Sequence, residues 1–331
     1  MPIGFLLTFT SSMIVVSFGI ETSWATFLEI NLEFNSTAMR LQVFIVITGF
    51  VYFLFAYLVP TMSAMRNWLA LSVILTITYE VTLLAILIKD GKRSEREKDY
   101  NIHGSKTDKI FNAFGAIAAI LVCNTSGLLP EIQSTLRKPA VVNMKKALTM
   151  QFTIGLAIYY GVSIVGYWAY GSSVSAYIPS ELSGPKWAKV LINSFAFLQS
   201  IVSQHMFCAP IHEALDTKFL RLDEKMFSKN NLLHRFILRS IIFGINTFIT
   251  ALFPFMGDFV NLFGSFTLFP LTFVFPSMIF LKVKGKSSNG VERAWHWINI
   301  IVFSLLSIIT TASAIRIIVN NARIYYFFAD T

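Results

Sequence analysis

Eight runs of predominantly apolar residues constrain this chain before anything else does. They lie near 41–60, 67–89, 110–130, 148–171, 187–209, 235–255, 258–281 and 297–319. The hydrocarbon core of a bilayer takes about 20 helical residues to cross. Inside lipid, every backbone N–H and C=O must be paired within the protein, which leaves helices and closed barrels. The runs lack the two-residue alternation of a barrel strand, so they read as helices. A weaker run, 3–20, opens the chain and carries Thr8, Thr10, Ser11, Ser12 and Ser17. No Lys or Arg precedes it, so it reads as a membrane helix rather than a cleaved signal peptide.

Composition agrees. Only 14% of the residues are charged, against about 25% in a soluble domain. Mean hydropathy is +0.62, and 32 Phe residues suit lipid-facing and tightly packed helices. The net charge of +9 sits in loops between apolar runs. Anionic lipid and the positive-inside effect explain it, and no nucleic-acid partner is implied. The two cysteines, Cys123 and Cys208, lie in apolar runs and make neither a disulfide framework nor a metal pattern. There is no P-loop, GxSxG, HExxH or Asp/His cluster. The chain therefore reads as neither an enzyme nor a cofactor carrier.

The hydrophilic loops 90–109, 132–147, 210–234 and 282–294 are too short to fold as soluble domains, so the chain reads as one integral membrane domain. Lys and Arg divide almost evenly between the two sets of alternate loops. The balance, with the sequon Asn35-Ser36-Thr37, tips 132–147 and 210–234 to the cytoplasm and makes Asn35 a glycosylation candidate.

Three places carry candidate chemistry. The first is CNTSGLLPEIQ, 123–133, which interrupts a membrane-length run. A break in lipid frees backbone groups, and transporters use such breaks to hold substrates and ions. On that reading Asn124, Thr125, Ser126 and Gly127 line a substrate, Pro130 starts a second half-helix, and Glu131 lies near its positive end. The plainer reading is a kink, or a helix that ends near 128. The second is Glu80, in LTITYEVTLL. A carboxyl inside a span is costly. It is a proton carrier, or it faces the bundle and bonds a hydroxyl such as Tyr79 or Thr78. The third is His205, the one histidine that reads as lying deep in a span; the other four fall in loops or at span ends. It is a proton relay or a hydrogen-bonded packing group. Asp258 reads as an interfacial acid. Pro254, Gly257, Gly264, Pro270 and Pro276 read as kinks that let a bundle move.

Several stretches, in order, resemble the plant amino acid/auxin permease family. GLLPEIQSTLRKP (127–139) is similar to the broken sixth span of that family, GYWAYGSSVSAY (166–177) to the end of the next, and FPFMGDFVNLFGSFTLFPLTFVFPSMIFLK (253–282) to the tenth. YEVTLLAILIKDG (79–91), AFLQSIVSQHMFCAPIHEALDTK (196–218) and WHWINI (295–300) resemble the proline, betaine and GABA transporter branch. The resemblance implies an all-α polytopic membrane protein: part of a five-plus-five inverted-repeat, LeuT-like bundle, with about eight or nine membrane helices here. It implies proton-coupled symport of proline, GABA, betaine or similar small zwitterions across the plasma membrane, with the proton gradient in place of a cofactor. It places substrate at Asn124, Thr125, Ser126 and Gly127, and leaves proton coupling open among Glu80, Glu131 and His205. The similarity runs from about residue 41. Residues 1–40 are expected to be a non-matching segment and 41–331 an incomplete transporter domain, the product of N-terminal truncation. A truncated chain would carry substrate poorly, or would pair with and regulate full-length permeases.

Overall fold

The computed structural model describes residues 30–31, 41–93, 98–102, 104–124, 129–175, 177–221, 224–225, 227–252 and 261–321. The sequon at Asn35, Pro254, Gly257 and Asp258 lie outside them, and so does the 3–20 run. The described residues are helical, in ten α-helices with short π and 3-10 turns between them. Five stretches, 66–93, 140–173, 229–252, 261–284 and 290–320, are long and apolar enough to cross a membrane, and 42–58 is a shorter apolar helix. The expected all-α polytopic architecture is what forms.

The chain divides into two compact units. The larger contains α1 (Leu41–Leu58), α2 (Arg66–Arg93), α5 (Ala140–Met150), α6 (Leu156–Tyr170), α7 (Lys186–Phe219) and α8 (Lys229–Leu252, up to residue 251). A π turn, Gln151–Gly155, joins α5 to α6. The long helix α2 lies along both α6 and α7. Leu83, Ile86 and Leu87 of α2 make one apolar cluster with Val162, Leu182, Ala188 and Ile192. At the other end of α2, Met65 packs with Val59 and Val202. Hydroxyls on α2 are satisfied inside the helix: Thr76, Thr78 and Thr82 each donate to the carbonyl four residues earlier, at 2.8–2.9 Å.

The helices are inside out by the standard of a soluble protein. On α8, Leu233, Phe236, Ile241, Ile245 and Phe248 are exposed, whereas Arg235, Arg239, Asn246 and Thr250 are buried. Lipid accepts the apolar face, and the polar face finds partners in the protein.

The far end of α2 is latched by Asp90, which is 8% exposed. Its carboxylate accepts from the Tyr170 hydroxyl at 2.8 Å, from the Ser183 N–H at 3.0 Å, and from the Ser183 hydroxyl. The Asp99 carbonyl beyond α2 accepts from the Ser172 N–H at 2.7 Å and from its hydroxyl at 2.8 Å. Gly171 makes that approach with φ +65°, and a Cβ there would stand 2.5 Å from the Asp99 oxygen.

The smaller unit contains α3 (Lys106–Asn124), the 261–284 segment ending in α9 (Phe275–Lys284), and α10 (Gly290–Asn321). π turns at Gly264–Leu268 and Pro270–Val274 fall where Pro270 and Pro276 each remove an N–H from the helical ladder. Helix α10 supports this distorted stretch. Ser307 donates to the Ser265 carbonyl at 2.7 Å, and Phe303 stacks on Phe273 at 4.0 Å. Ser313 donates to the Phe111 carbonyl at 2.7 Å, and Arg316 pairs with Asp108 at 2.8 Å, so α3 is pinned to α10.

Asp90→Ala removes the acceptor for three donors. It is expected to cost about 2–3 kcal/mol, and Ser183→Ala about 1 kcal/mol. Thermal unfolding of the purified protein in detergent checks both, and equal midpoints for Asp90→Ala and the parent would refute the latch.

Candidate functional site

Helix α3 closes at Asn124 and a short helix, α4 (Leu129–Ser134), opens four residues past Thr125. The run expected at 110–130 is helical on both sides of 125–128, and Pro130 lies in α4. Thr125, Ser126 and Gly127 lie outside the described residues, and so do the side-chain surroundings of Asn124 and Glu131. Their assignment to substrate rests on sequence.

The larger unit holds a polar interior that is fully placed. On α7, Gln204, His205, Cys208, His212 and Asp216 recur every three or four residues and share one face. Gln204, His205, Cys208 and His212 are buried, and the Asp216 side chain is 15% exposed. Helix α8 faces them with Arg239 and Phe243. Arg239, fully buried, grips Asp216 with both ends of its guanidinium, at 3.0 and 2.7 Å. Such a bidentate pair is the strongest form of ion pair and fixes register as well as distance. Arg235, one turn earlier and also buried, lies 5.5 Å over the Phe227 ring. Further along α8, Asn246 donates to the Ile242 carbonyl and Thr250 to the Asn246 carbonyl.

Helix α1 closes this interior from a third side. Its Tyr52 hydroxyl lies 3.3 Å from the Ser200 hydroxyl, and its ring packs on Phe243. The helix stops at Pro60, which leaves terminal carbonyls without partners. His205 supplies one, with Nε2 2.6 Å from the Val59 oxygen. A carbonyl can only accept, so Nε2 carries the proton, and Nδ1 of the neutral ring is an acceptor. The ring is held edge-on by Phe55 at 5.5 Å. The His212 ring lies 5.4 Å from it and 5.9 Å from Phe243.

Glu80 is elsewhere. It is 7% exposed, within hydrogen-bonding reach of the Tyr79 hydroxyl, and Tyr79 packs against the Leu83–Ile192 cluster. The Thr78 hydroxyl bonds its own helix instead. Leu69, which packs beside Val202 near His205, stands eleven residues before Glu80, about 16 Å of helix. The two buried titratable groups singled out in the sequence are not one site.

The interior also corrects the sequence reading of the histidines and of loop 210–234. Helix α7 continues through Pro210 to Phe219, and α8 starts at Lys229, so His212 and Asp216 are helical and Arg235 is buried rather than a loop charge. His212 is fully buried, so His205 is not alone. A proline removes one intrahelical bond, and packing on both sides carries the helix past it. The four-residue spacing of Cys208, His212 and Asp216, continued across the proline, is the signal that would have found them. Among the described residues, no group of three His, Cys, Asp or Glu side chains could hold a metal ion.

Arg239→Ala strands Asp216 against the interior and is expected to destabilise the protein by about 3–5 kcal/mol, with Arg239→Ala/Asp216→Ala recovering much of it. A double-mutant cycle of unfolding midpoints reads this, and additive single effects would show that the pair does not couple.

The profile of a family described as transmembrane amino acid transporter proteins matches residues 2–317, and so takes in most of 1–40 as well as most of 41–331. GABA transporter 1 of Arabidopsis thaliana is 32% identical over 304 residues, covering 88% of this chain and 66% of that protein. Lysine histidine transporter-like 6 of the same plant is 26% identical over 299 residues, covering 88% of this chain and 67% of the relative. Lysine histidine transporter-like 1 is 22% identical, over 89% of this chain and 65% of the relative. The chain thus spans about two thirds of the length of these curated relatives. No solved structure matches it significantly. Membrane-length helices, an inside-out polar interior and this whole-chain match agree: the protein is an integral membrane protein, not an enzyme, and belongs to the transmembrane amino acid transporter family.

Proposed function

We propose that this chain moves a small zwitterionic amino acid of the GABA or proline type across the plasma membrane together with a proton. The observation that carries the reading is the burial of titratable side chains in an amino acid transporter family member, Glu80 at 7% exposure on the membrane-length helix α2 and His205 at 2% on the covered helix α7. Ionisable groups in spans are expensive, and coupling to an ion is what offsets their cost in transporters. The substrate class follows from likeness to a relative named for GABA. Asn124, Thr125, Ser126 and Gly127 are the proposed substrate positions, where the helix break read from the sequence would free backbone groups for a carboxylate or ammonium. Glu80, with Oε2 unpartnered, is the proposed proton-binding carboxyl.

Uptake of labelled GABA and proline in transporter-deficient yeast tests this at equal surface expression. Uptake is expected to be severalfold faster at pH 5 than at pH 7.5. Glu80→Gln is expected to reduce the pH 5 rate to the pH 7.5 rate, and Asn124→Ala to reduce both rates at subsaturating substrate. Equal rates at both pH values overturn proton coupling. Uptake of neither amino acid above background overturns the substrate class.

A further inference from the structure

His212 was not among the residues singled out for proton coupling, yet it is the most exceptional side chain of the interior. It is fully buried, and neither ring nitrogen has a partner. His205 Nδ1, whose ring lies against it, is buried and unpartnered too, and so is Oε1 of Gln204, next to His205 in α7. A neutral imidazole needs one donor and one acceptor partner. Buried groups left orphaned like this would consume a large part of the net stability of a folded protein. Apolar side chains could have filled this space at no such cost. Groups of this kind are satisfied in folded proteins by buried water, which takes two to four polar partners. With ring centroids 5.4 Å apart, the two histidines are within reach of one shared water.

We infer that Gln204, His205 and His212 form a water-holding proton site, entered from the Asp216 end of α7. The inference rests on the proton-coupled reading for its use, but not for its existence. The step is a balanced one. His212 takes a proton at one ring nitrogen and gives one up from the other to the shared water. That water passes a proton to His205 Nδ1, and His205 becomes an imidazolium donating from both nitrogens, with Nε2–H still on the Val59 carbonyl. The return path reverses each transfer. The charged and titratable groups on the helices around the pair include Cys208, Glu213 and Asp216 on α7, Arg235 and Arg239 on α8, Tyr52 and Tyr57 on α1, and Arg66 and Glu80 on α2. Arg239 opposes an imidazolium, and its ion pair with Asp216 offsets part of that charge. Asp216 is therefore a positioning residue for the site.

Hydroxyl-radical footprinting of the full chain in lipid nanodiscs tests the site without transport. Water held inside a protein is converted to radicals in place and marks its neighbours. His205 and His212 are expected to be modified at least tenfold faster than Leu87 and Ile192, which are equally buried in an apolar cluster. His212→Phe is expected to abolish modification of His205, and His212→Gln, close in size and polar, covers a Phe variant that does not fold. Modification of both histidines as slow as that of Leu87 overturns the inference, whatever the chain transports. With uptake established, His212→Gln is expected to bring the ratio of uptake at pH 5 to that at pH 7.5 down to about one. A merely structural role would lower both rates and keep the ratio, which would overturn the proton role. Absent uptake sinks the transport reading instead and leaves the footprint to decide the site.

Discussion

Hydrocarbon offers no hydrogen bonds, and the rest of this structure depends on that fact. A polar side chain in a span has to be met by protein, by its own helix, or by water carried inside. The first two solutions occur among the described residues. Thr76, Thr78 and Thr82 return their hydroxyls to their own helix. Arg239 and Asp216 meet across two helices, and His205 meets the orphan carbonyl where Pro60 stops α1. In the last two cases the polar residue fixes which face of a helix turns inward.

Helix α7 organises the larger unit for the same reason. It is 34 residues long, but Asn193, Gln204, His205, His212 and Asp216 make it too polar to stand in lipid. It is therefore covered on several sides, by apolar clusters with α2 toward both ends and by the polar seam with α1 and α8. The apolar clusters are non-directional and tolerate small shifts. The bidentate ion pair and the His205–Val59 bond do not, so register is set by the polar contacts and adhesion by the apolar ones. In the smaller unit, two prolines open π turns, and serines on the neighbouring helix hold the distorted backbone. Bistable behaviour in a bundle is usually lodged in such stretches.

Much of this was legible in the residues. Apolar run length located the helices, because the thickness of the bilayer fixes how many residues must be apolar. The charge deficit, the spacing of the runs and several ordered motifs pointed to the amino acid transporter family that the comparisons support. Glu80 and His205 stood out because a carboxylate or imidazole inside an apolar run is conspicuous. His212, Asp216, Arg235 and Arg239 did not stand out. They sit at the end of an apolar run among other charges, and a hydrophilic stretch looks the same whether water or protein surrounds it. Pro210 strengthened the impression of a loop, although helix packing carries α7 through it.

The sequence by itself determined that this is an all-helical membrane protein of a transporter family, about where its apolar helices lie, and that Glu80 and His205 are interior groups. These follow from transfer free energies and from backbone hydrogen bonding, which act on each segment separately. Tertiary structure alone decided that His205 belongs with His212 rather than with Glu80, that Arg239 answers Asp216, and that Asp90 ties α2 to the chain beyond α6. Arg239 with Asp216 and Asp90 with Tyr170 pair different helices, and His205 pairs with His212 only because α7 continues past Pro210; helix rotation, register and continuity are set by packing, which no single segment encodes.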